Sequence, residues 1–242
     1  MIPIPESARV KRATVAEAML VAKARAWIEG EERTPGLHAS DFLDTRMAYW
    51  QRHIPKGISD KLVNIFLVGK VLHAIVLGGV GGSIDVHASD SGSLHSASLG
   101  ISYSPDAVID GVVRELKTSR SPFEPRDIKD LEMYLEQLLV YMVATETTTS
   151  QLWILYLNLR DETNRTSPGF RCYDFTISEQ DLELTKRFLL ENKAQLEKAL
   201  ETGDPSELPL CRRFKCGEKN CQWWEDCKPE GRYGISPKKW EV

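Results

Sequence analysis

The sequence predicts an α/β protein: a small mixed sheet flanked by helices, closed by a C-terminal cap that cysteines hold to a metal. Three observations predict it. The stretch 103–119, YSPDAVIDGVVRELKTS, reads as two short extended runs joined by Asp110-Gly111. Asp-Gly between β-branched runs is a strong hairpin signal, because a type I′ turn needs positive φ at both central residues. The stretch 151–159, QLWILYLNL, is a dense apolar run of the kind a buried strand shows. Finally, four of the five cysteines fall between positions 211 and 227. With no export signal, such clustering favours metal ligation over disulfides.

In chain order, the first ten residues have no period and read as a loose arm. Thr14 and Glu17 form a capping box ahead of an alanine-rich helix to Ile28. After the break at Pro35-Gly36, Ser40 reads as the N-cap of a helix carrying Phe42, Leu43, Met47 and Trp50. A second break at 55–57 precedes an apolar helix over 60–76 that includes Gly69 and His73. The Gly-, Ser- and His-rich stretch 78–100 reads as a loop or irregular hairpin with strand character around 84–86. Beyond the hairpin, 127–144 has Leu131, Leu135, Leu138 and Tyr141 on one helical side. A polar turn over 161–169 leads to an edge strand over 170–176, and Ser178 caps a helix to Leu200 that Gly203 and Pro205 end. Three regions follow, all within one compact domain: an N-terminal helical region 1–57, a core 58–203, and a Cys-rich cap with a basic, aromatic tail 204–242.

Bulk composition fits this. With 242 residues, 42% hydrophobic and 27% charged, the chain is an ordinary globular one. Its longest apolar run, around 71–77, falls far short of the ~20 residues a membrane span needs. No leader is read at its start, so the expected location is cytoplasmic. A net charge of −4 argues against bulk attraction to nucleic acid and leaves a local basic groove open.

The hairpin carries the chemistry. With Asp110-Gly111 as its loop, Ile109 pairs with Val112, Val108 with Val113, and Asp106 lies opposite Glu115. Opposed residues share a face with Cβ atoms roughly 5 Å apart, and Lys117 points to that same face. Two carboxylates and an ammonium at one spot cost electrostatic energy unless a metal ion sits between the acids. Such a pair can hold Mg²⁺ or Mn²⁺ beside a phosphodiester, the lysine orienting water or neutralising developing charge. The alternative is a surface cross-strand ion-pair cluster.

S-P-D, a short hairpin and E-L-K-T together resemble the PD-(D/E)XK nuclease superfamily. Upstream, Gly69 and His73 give G-x-x-x-H in a helix, and downstream Gln137 and Tyr141 give Q-x-x-x-Y on one helix face. His73, Asp106, Glu115 with Lys117, then Gln137 with Tyr141 is the order of the RecB-like branch. The resemblance implies a restriction-endonuclease-like core and a metal-dependent deoxyribonuclease acting on single-stranded DNA or DNA ends. It implies His73, Asp106 and Glu115 as metal ligands and Lys117 as catalytic. Gln137 and Tyr141 would contact DNA or support the lysine. Asp85, in GGSIDV, is the rival first carboxylate; Asp106 is preferred because the hairpin pairs it with Glu115. Asp110 is a turn residue.

Cys211, Cys216, Cys221 and Cys227 have the pattern C-x4-C-x4-C-x5-C, between Pro209 and Pro229. Four thiolates suit structural Zn²⁺ or an iron–sulfur cluster, and spacing alone does not separate these. Cys172 reads as a packing residue of a strand. RecB-like nucleases with such a C-terminal cluster include the CRISPR-adaptation exonucleases (the Cas four family) and AddB-type helicase–nucleases. The likeness implies a 4Fe–4S or related cluster pinning the chain end to the core. It also implies CRISPR integrase proteins or phage recombination proteins as partners, in CRISPR adaptation or phage DNA processing. The chain departs from those families at HASDFLDTRMAYW, where Asp44 and Thr45 stand in place of C-P, so the fourth thiolate is expected from the C-terminal segment. Two rivals stand beside this reading: a lambda-type recombination exonuclease on duplex ends, and a non-catalytic scaffold binding DNA or protein. Arg120, Arg126 and Lys129, and Arg212, Arg213 and Lys215, are candidate phosphate contacts. Trp223 and Trp224 read as packing around the cluster, with base stacking as the alternative.

Overall fold

Residues 14–29, 35–79, 94–211 and 221–227 are described by the computed structural model. Helix α1 spans Thr14–Glu29, α2 Thr45–His53 and α3 Asp60–Gly79. Strands β1 (Leu94–Ser96), β2 (Ile101–Tyr103), β3 (Ala107–Ile109) and β4 (Val112–Ser119) follow. Then come α4 (Glu132–Thr145), β5 (Thr149–Arg160), β6 (Thr166–Thr176) and α5 (Glu179–Thr202). Two compact units divide the chain, Met1–Arg33 with Gly57–Val71, and Thr34–Lys56 with Leu72–Val242. In the first, the Arg25 guanidinium donates to the Ile58 carbonyl, and on α3 Val63 is buried while Leu62, Ile65 and Phe66 stand exposed. No helix of the described residues is long and apolar enough to cross a membrane.

The second unit is built around a four-stranded sheet of order β3-β4-β5-β6. Asp110 and Gly111 have φ of 53° and 75°, the positive values a type I′ turn requires. Their turn sets the register Ile109↔Val112, Val108↔Val113 and Ala107↔Arg114. β4 then pairs in parallel with β5, from Val113↔Ser150 to Ser119↔Tyr156. Parallel neighbours need a long connection, which α4 supplies. β5 and β6 are antiparallel, so the sheet is mixed, as predicted. β1 and β2 form a separate two-stranded sheet.

Val113, Leu138, Leu152, Ile154 and Leu196 are buried in one apolar cluster. Each such side chain contributes about 1.5–3 kcal/mol by leaving water. Ser178 caps α5 by accepting from the Asp181 N–H at 3.1 Å, and Gly203 ends it in the left-handed region at φ 72°.

Three boundaries differ from expectation. Ser40 is not a helix cap but lies in a short 3-10 turn over Ala39–Phe42. The buried Asp41 carboxylate accepts from the His38 N–H at 2.8 Å and from Arg52 at 2.5 Å, closing that turn before α2 begins at Thr45. The helix expected over 127–144 starts as a 3-10 turn, Ile128–Leu131, capped by Asp127, before α4. The polar turn ends at 165, because Asp161 accepts from the Thr163 hydroxyl at 2.7 Å and the Arg165 N–H at 2.9 Å. β6 therefore begins at Thr166. Asp85, the strand expected at 84–86 and the side chains of Thr14 and Glu17 lie outside the described residues.

Candidate functional site

Alternation along β4 sends Val113, Glu115 and Lys117 to one face and Leu116 to the other, where Leu116 packs with Ala107. Asp106 sits one residue before β3. Its Oδ2 accepts the Leu116 N–H at 2.7 Å, and its Oδ1 lies 3.2 Å from His73 Nδ1. The hairpin therefore locks the first carboxylate against the strand carrying the second. Glu115 is only 2% exposed. Its Oε1 accepts from the Lys117 ammonium, while its Oε2 is buried without a hydrogen-bond partner. Burial pushes this carboxyl up to about 7 from its ordinary 4.5; the Lys117 charge opposes the rise, Asp106 adds to it and His73 opposes it.

From Lys117 a directed chain of hydrogen bonds runs through α4. Lys117 Nζ donates to Gln137 Oε1 at 2.7 Å, Gln137 Nε2 donates to Tyr141 Oη at 2.8 Å, and the Tyr141 hydroxyl donates to the Ser104 carbonyl at 3.0 Å. Gln137 and Tyr141 are one turn apart on α4, so one helix face presents both. Burial, reinforced by the Glu115 charge, holds the Tyr141 hydroxyl well above the ordinary phenol range, keeping it a neutral donor. Ser104 precedes Pro105 and Asp106, so the chain closes on the segment that carries the first acid. The Ser104 carbonyl escaped sequence reading because a backbone acceptor leaves no signature in residue type.

Among the described residues, no group of three His, Cys, Asp or Glu side chains is placed to hold a metal ion. Here His73 is turned to Asp106 and Lys117 to Glu115, so these groups satisfy one another. The orphaned Glu115 Oε2 nevertheless fits a cation, since a buried carboxylate oxygen without a donor is costly unless positive charge meets it. Oxygen donors with an imidazole nearby suit Mg²⁺ or Mn²⁺. Arg120, Arg126 and Lys129 are exposed in the segment after β4. Arg212, Arg213 and Lys215 lie outside the described residues.

Cys211, Cys221 and Cys227 line one pocket, together with Arg46, Trp50 and Trp224; Cys216 lies outside the described residues. Thiols are the soft donors that zinc and iron–sulfur clusters take, but these three are not among any described group placed to hold a metal ion. Residues 221–227 are tied to the end of α2. The buried Trp223 donates its indole N–H to the Ile54 carbonyl at 2.8 Å, and Lys56 donates to the Gln222 carbonyl at 2.7 Å. Trp223 thus packs rather than presenting its ring to bases. Cys172, expected to pack, is exposed on β6, because β6 is an edge strand of the sheet. Sequence reading also passed over Arg46; its signal was a lone cation among Met47, Ala48, Tyr49 and Trp50.

No protein-family model and no curated protein matches the chain. Among solved structures, the crystal structure of SSO0001 is similar in fold, with a TM-score of 0.56 at 15% identity over 91% of this chain and 98% of that one. An alkaline exonuclease (LHK-Exo) from Laribacter hongkongensis has a TM-score of 0.38 at 15% identity, over 75% of this chain and 97% of that one. A phage-related exonuclease from Haemophilus somnus 129PT has a TM-score of 0.38 at 12% identity, over 81% and 91%.

Proposed function

We propose that the chain is a metal-dependent deoxyribonuclease of the PD-(D/E)XK superfamily, RecB-like branch, hydrolysing phosphodiester bonds in single-stranded DNA or at DNA ends. The observation that carries this reading is the buried Glu115 carboxyl with its orphaned Oε2, set beside Lys117 on one β4 face. Asp106 and Glu115, with His73 alongside, would hold Mg²⁺ or Mn²⁺. Such a cation supplies Lewis-acid polarisation of the phosphodiester. Lys117, aimed by Gln137, orients the attacking water and neutralises charge developing on the phosphate. Tyr141 keeps Gln137 in the one amide orientation that offers an oxygen to the lysine.

The cysteine cap is read as the seat of a 4Fe–4S cluster, with Zn²⁺ as the alternative. CRISPR adaptation or phage DNA processing is the proposed setting, with an integrase or a recombination protein as partner.

The test is cleavage of labelled single- and double-stranded DNA in Mg²⁺ and in Mn²⁺. Lys117→Ala should lose activity by about 10²–10³-fold while circular dichroism shows the fold retained. Full activity in that variant sinks the assignment, and preference for duplex ends moves it towards a lambda-type exonuclease. Iron, sulfide and zinc content of anaerobically purified protein separates cluster from zinc.

A further inference from the structure

Phe123 stands where the two parallel strands end. β4 closes at Ser119 and β5 at Arg160. The Arg160 N–H donates to the Pro122 carbonyl at 2.9 Å, and its guanidinium carbon lies over the Phe123 ring, 5.4 Å from the centroid. Phe123 is nevertheless 54% exposed. A single exposed apolar side chain is ordinary on a surface, but this one is held in place. Ser121 Oγ accepts from the Phe123 N–H at 3.1 Å and donates to the Phe123 carbonyl at 2.8 Å. Pro122 and Pro125 fix φ on both sides, and Glu124 pairs with Arg171 of β6 at 2.6 Å. A ring ordered in advance loses little freedom when a flat ligand meets it.

Charge says what that ligand is. Among the described residues, the exposed Arg120, Arg126 and Lys129 side chains form no ion pair. The acids between them are engaged. Glu124 meets Arg171, Asp130 Oδ2 accepts from the Arg126 N–H at 2.8 Å, and Asp127 Oδ1 from the Lys129 N–H at 3.0 Å. A nucleic-acid strand offers phosphates to such cations and base faces to such a ring. Lys117 lies on the same segment of chain, so its backbone is within about 20 Å of Phe123. In open α/β sheets, ligands lie beyond the carboxyl ends of the strands.

We propose that Phe123 is a stacking platform for an unpaired base of the DNA strand held at Glu115 and Lys117, with Arg120, Arg126 and Lys129 on the flanking phosphates. This rests on the nuclease reading of that site and narrows its substrate to unpaired strand. Bases inside a duplex are already stacked on their neighbours and offer the ring no face.

The full chain is prepared as wild type, Phe123→Leu, Phe123→Trp and Ile128→Ala, with circular dichroism reporting the fold. Ile128 is the control, an apolar side chain 62% exposed on the same segment. The probes are a labelled oligothymidylate and the same strand with abasic sites in place of its bases. Anisotropy in excess chelator gives Kd, and cleavage in Mn²⁺ gives KM. Phe123→Leu keeps apolar bulk and loses the aromatic face. It should bind oligothymidylate about 5–150-fold more weakly and raise KM in step, while treating the abasic strand as wild type does. Phe123→Trp should bind at least as tightly as wild type, and Ile128→Ala should match wild type. Wild-type Kd and KM in Phe123→Leu overturn the inference and, where wild type cleaves, leave the nuclease reading standing. Equal weakening on the abasic strand, or in Ile128→Ala, overturns stacking in favour of a general apolar contact. A wild-type chain that neither binds nor cleaves overturns both readings.

Discussion

The acid–lysine cluster and the cysteine pocket lie in the same compact unit and are built in opposite ways. In the cluster, strand alternation places Glu115 and Lys117, one helical turn places Gln137 and Tyr141, and a two-residue turn brings Asp106 to Leu116. In the pocket the cysteines stand on irregular chain outside strands and helices. The chain leading into them is held by side chains of, or just beyond, α2, Arg46 on the Leu208 carbonyl and Lys56 on the Gln222 carbonyl. A site made by periodic elements places itself. A site made by loops needs clamps from elsewhere, so its integrity is a tertiary property.

The largest expected effect tests whether the cluster holds a charge it does not balance alone. In metal-free protein, Glu115 has a folded value of about 7 against an ordinary 4.5. The folded state binds the proton more tightly, so stability from this group is full below 4.5 and is lost as pH rises through about 7. Metal-free wild type should therefore lose about 3 kcal/mol between pH 4 and 8 relative to Glu115→Gln. Denaturant midpoints at each pH measure this, and Mg²⁺ or Mn²⁺ should restore wild type selectively. Parallel curves would show that the cluster is self-compensated. A smaller effect is expected from Tyr141→Phe, which strips Gln137 Nε2 and the Ser104 carbonyl of their partner. It should cost about 1–2 kcal/mol and slow cleavage while leaving the alkylation rates of Cys211, Cys221 and Cys227 unchanged. Smallest is Trp223→Phe, which removes the indole bond to Ile54. It should cost about 1 kcal/mol and speed alkylation of Cys211, Cys221 and Cys227, with cleavage rate intact. If Trp223→Phe slowed cleavage instead, the two sites would not be independent.

The same contrast explains what the sequence disclosed. Asp110-Gly111 announced its turn because few residue pairs accept two positive φ values, and the pairs Ile109↔Val112 and Val108↔Val113 followed from it. The Glu115–Lys117 and Gln137–Tyr141 spacings were legible for the same reason: period two and period 3.6 act over a few residues. Ser178 and Gly203 marked the ends of α5 through local backbone chemistry. Ser40 misled because the competing cap belongs to Asp41, whose carboxylate is also claimed by Arg52 eleven residues on. The early start of β6 depends on one carboxylate gathering three donors, which composition does not reveal. Arg46 was opaque for a deeper reason, since its partners lie more than 150 residues away.

That separation has a kinetic side. Contacts within the cluster join residues 2, 10, 20 and 37 positions apart, whereas those fastening the cap join residues 154, 162 and 169 apart. Closing a long loop is the slower event and is rewarded only once both ends are already shaped. The chain should therefore complete its sheet first and latch its C-terminal segment afterwards. On that order the latch is the last part to form and the first to open, and α2 is the catch that decides when it shuts.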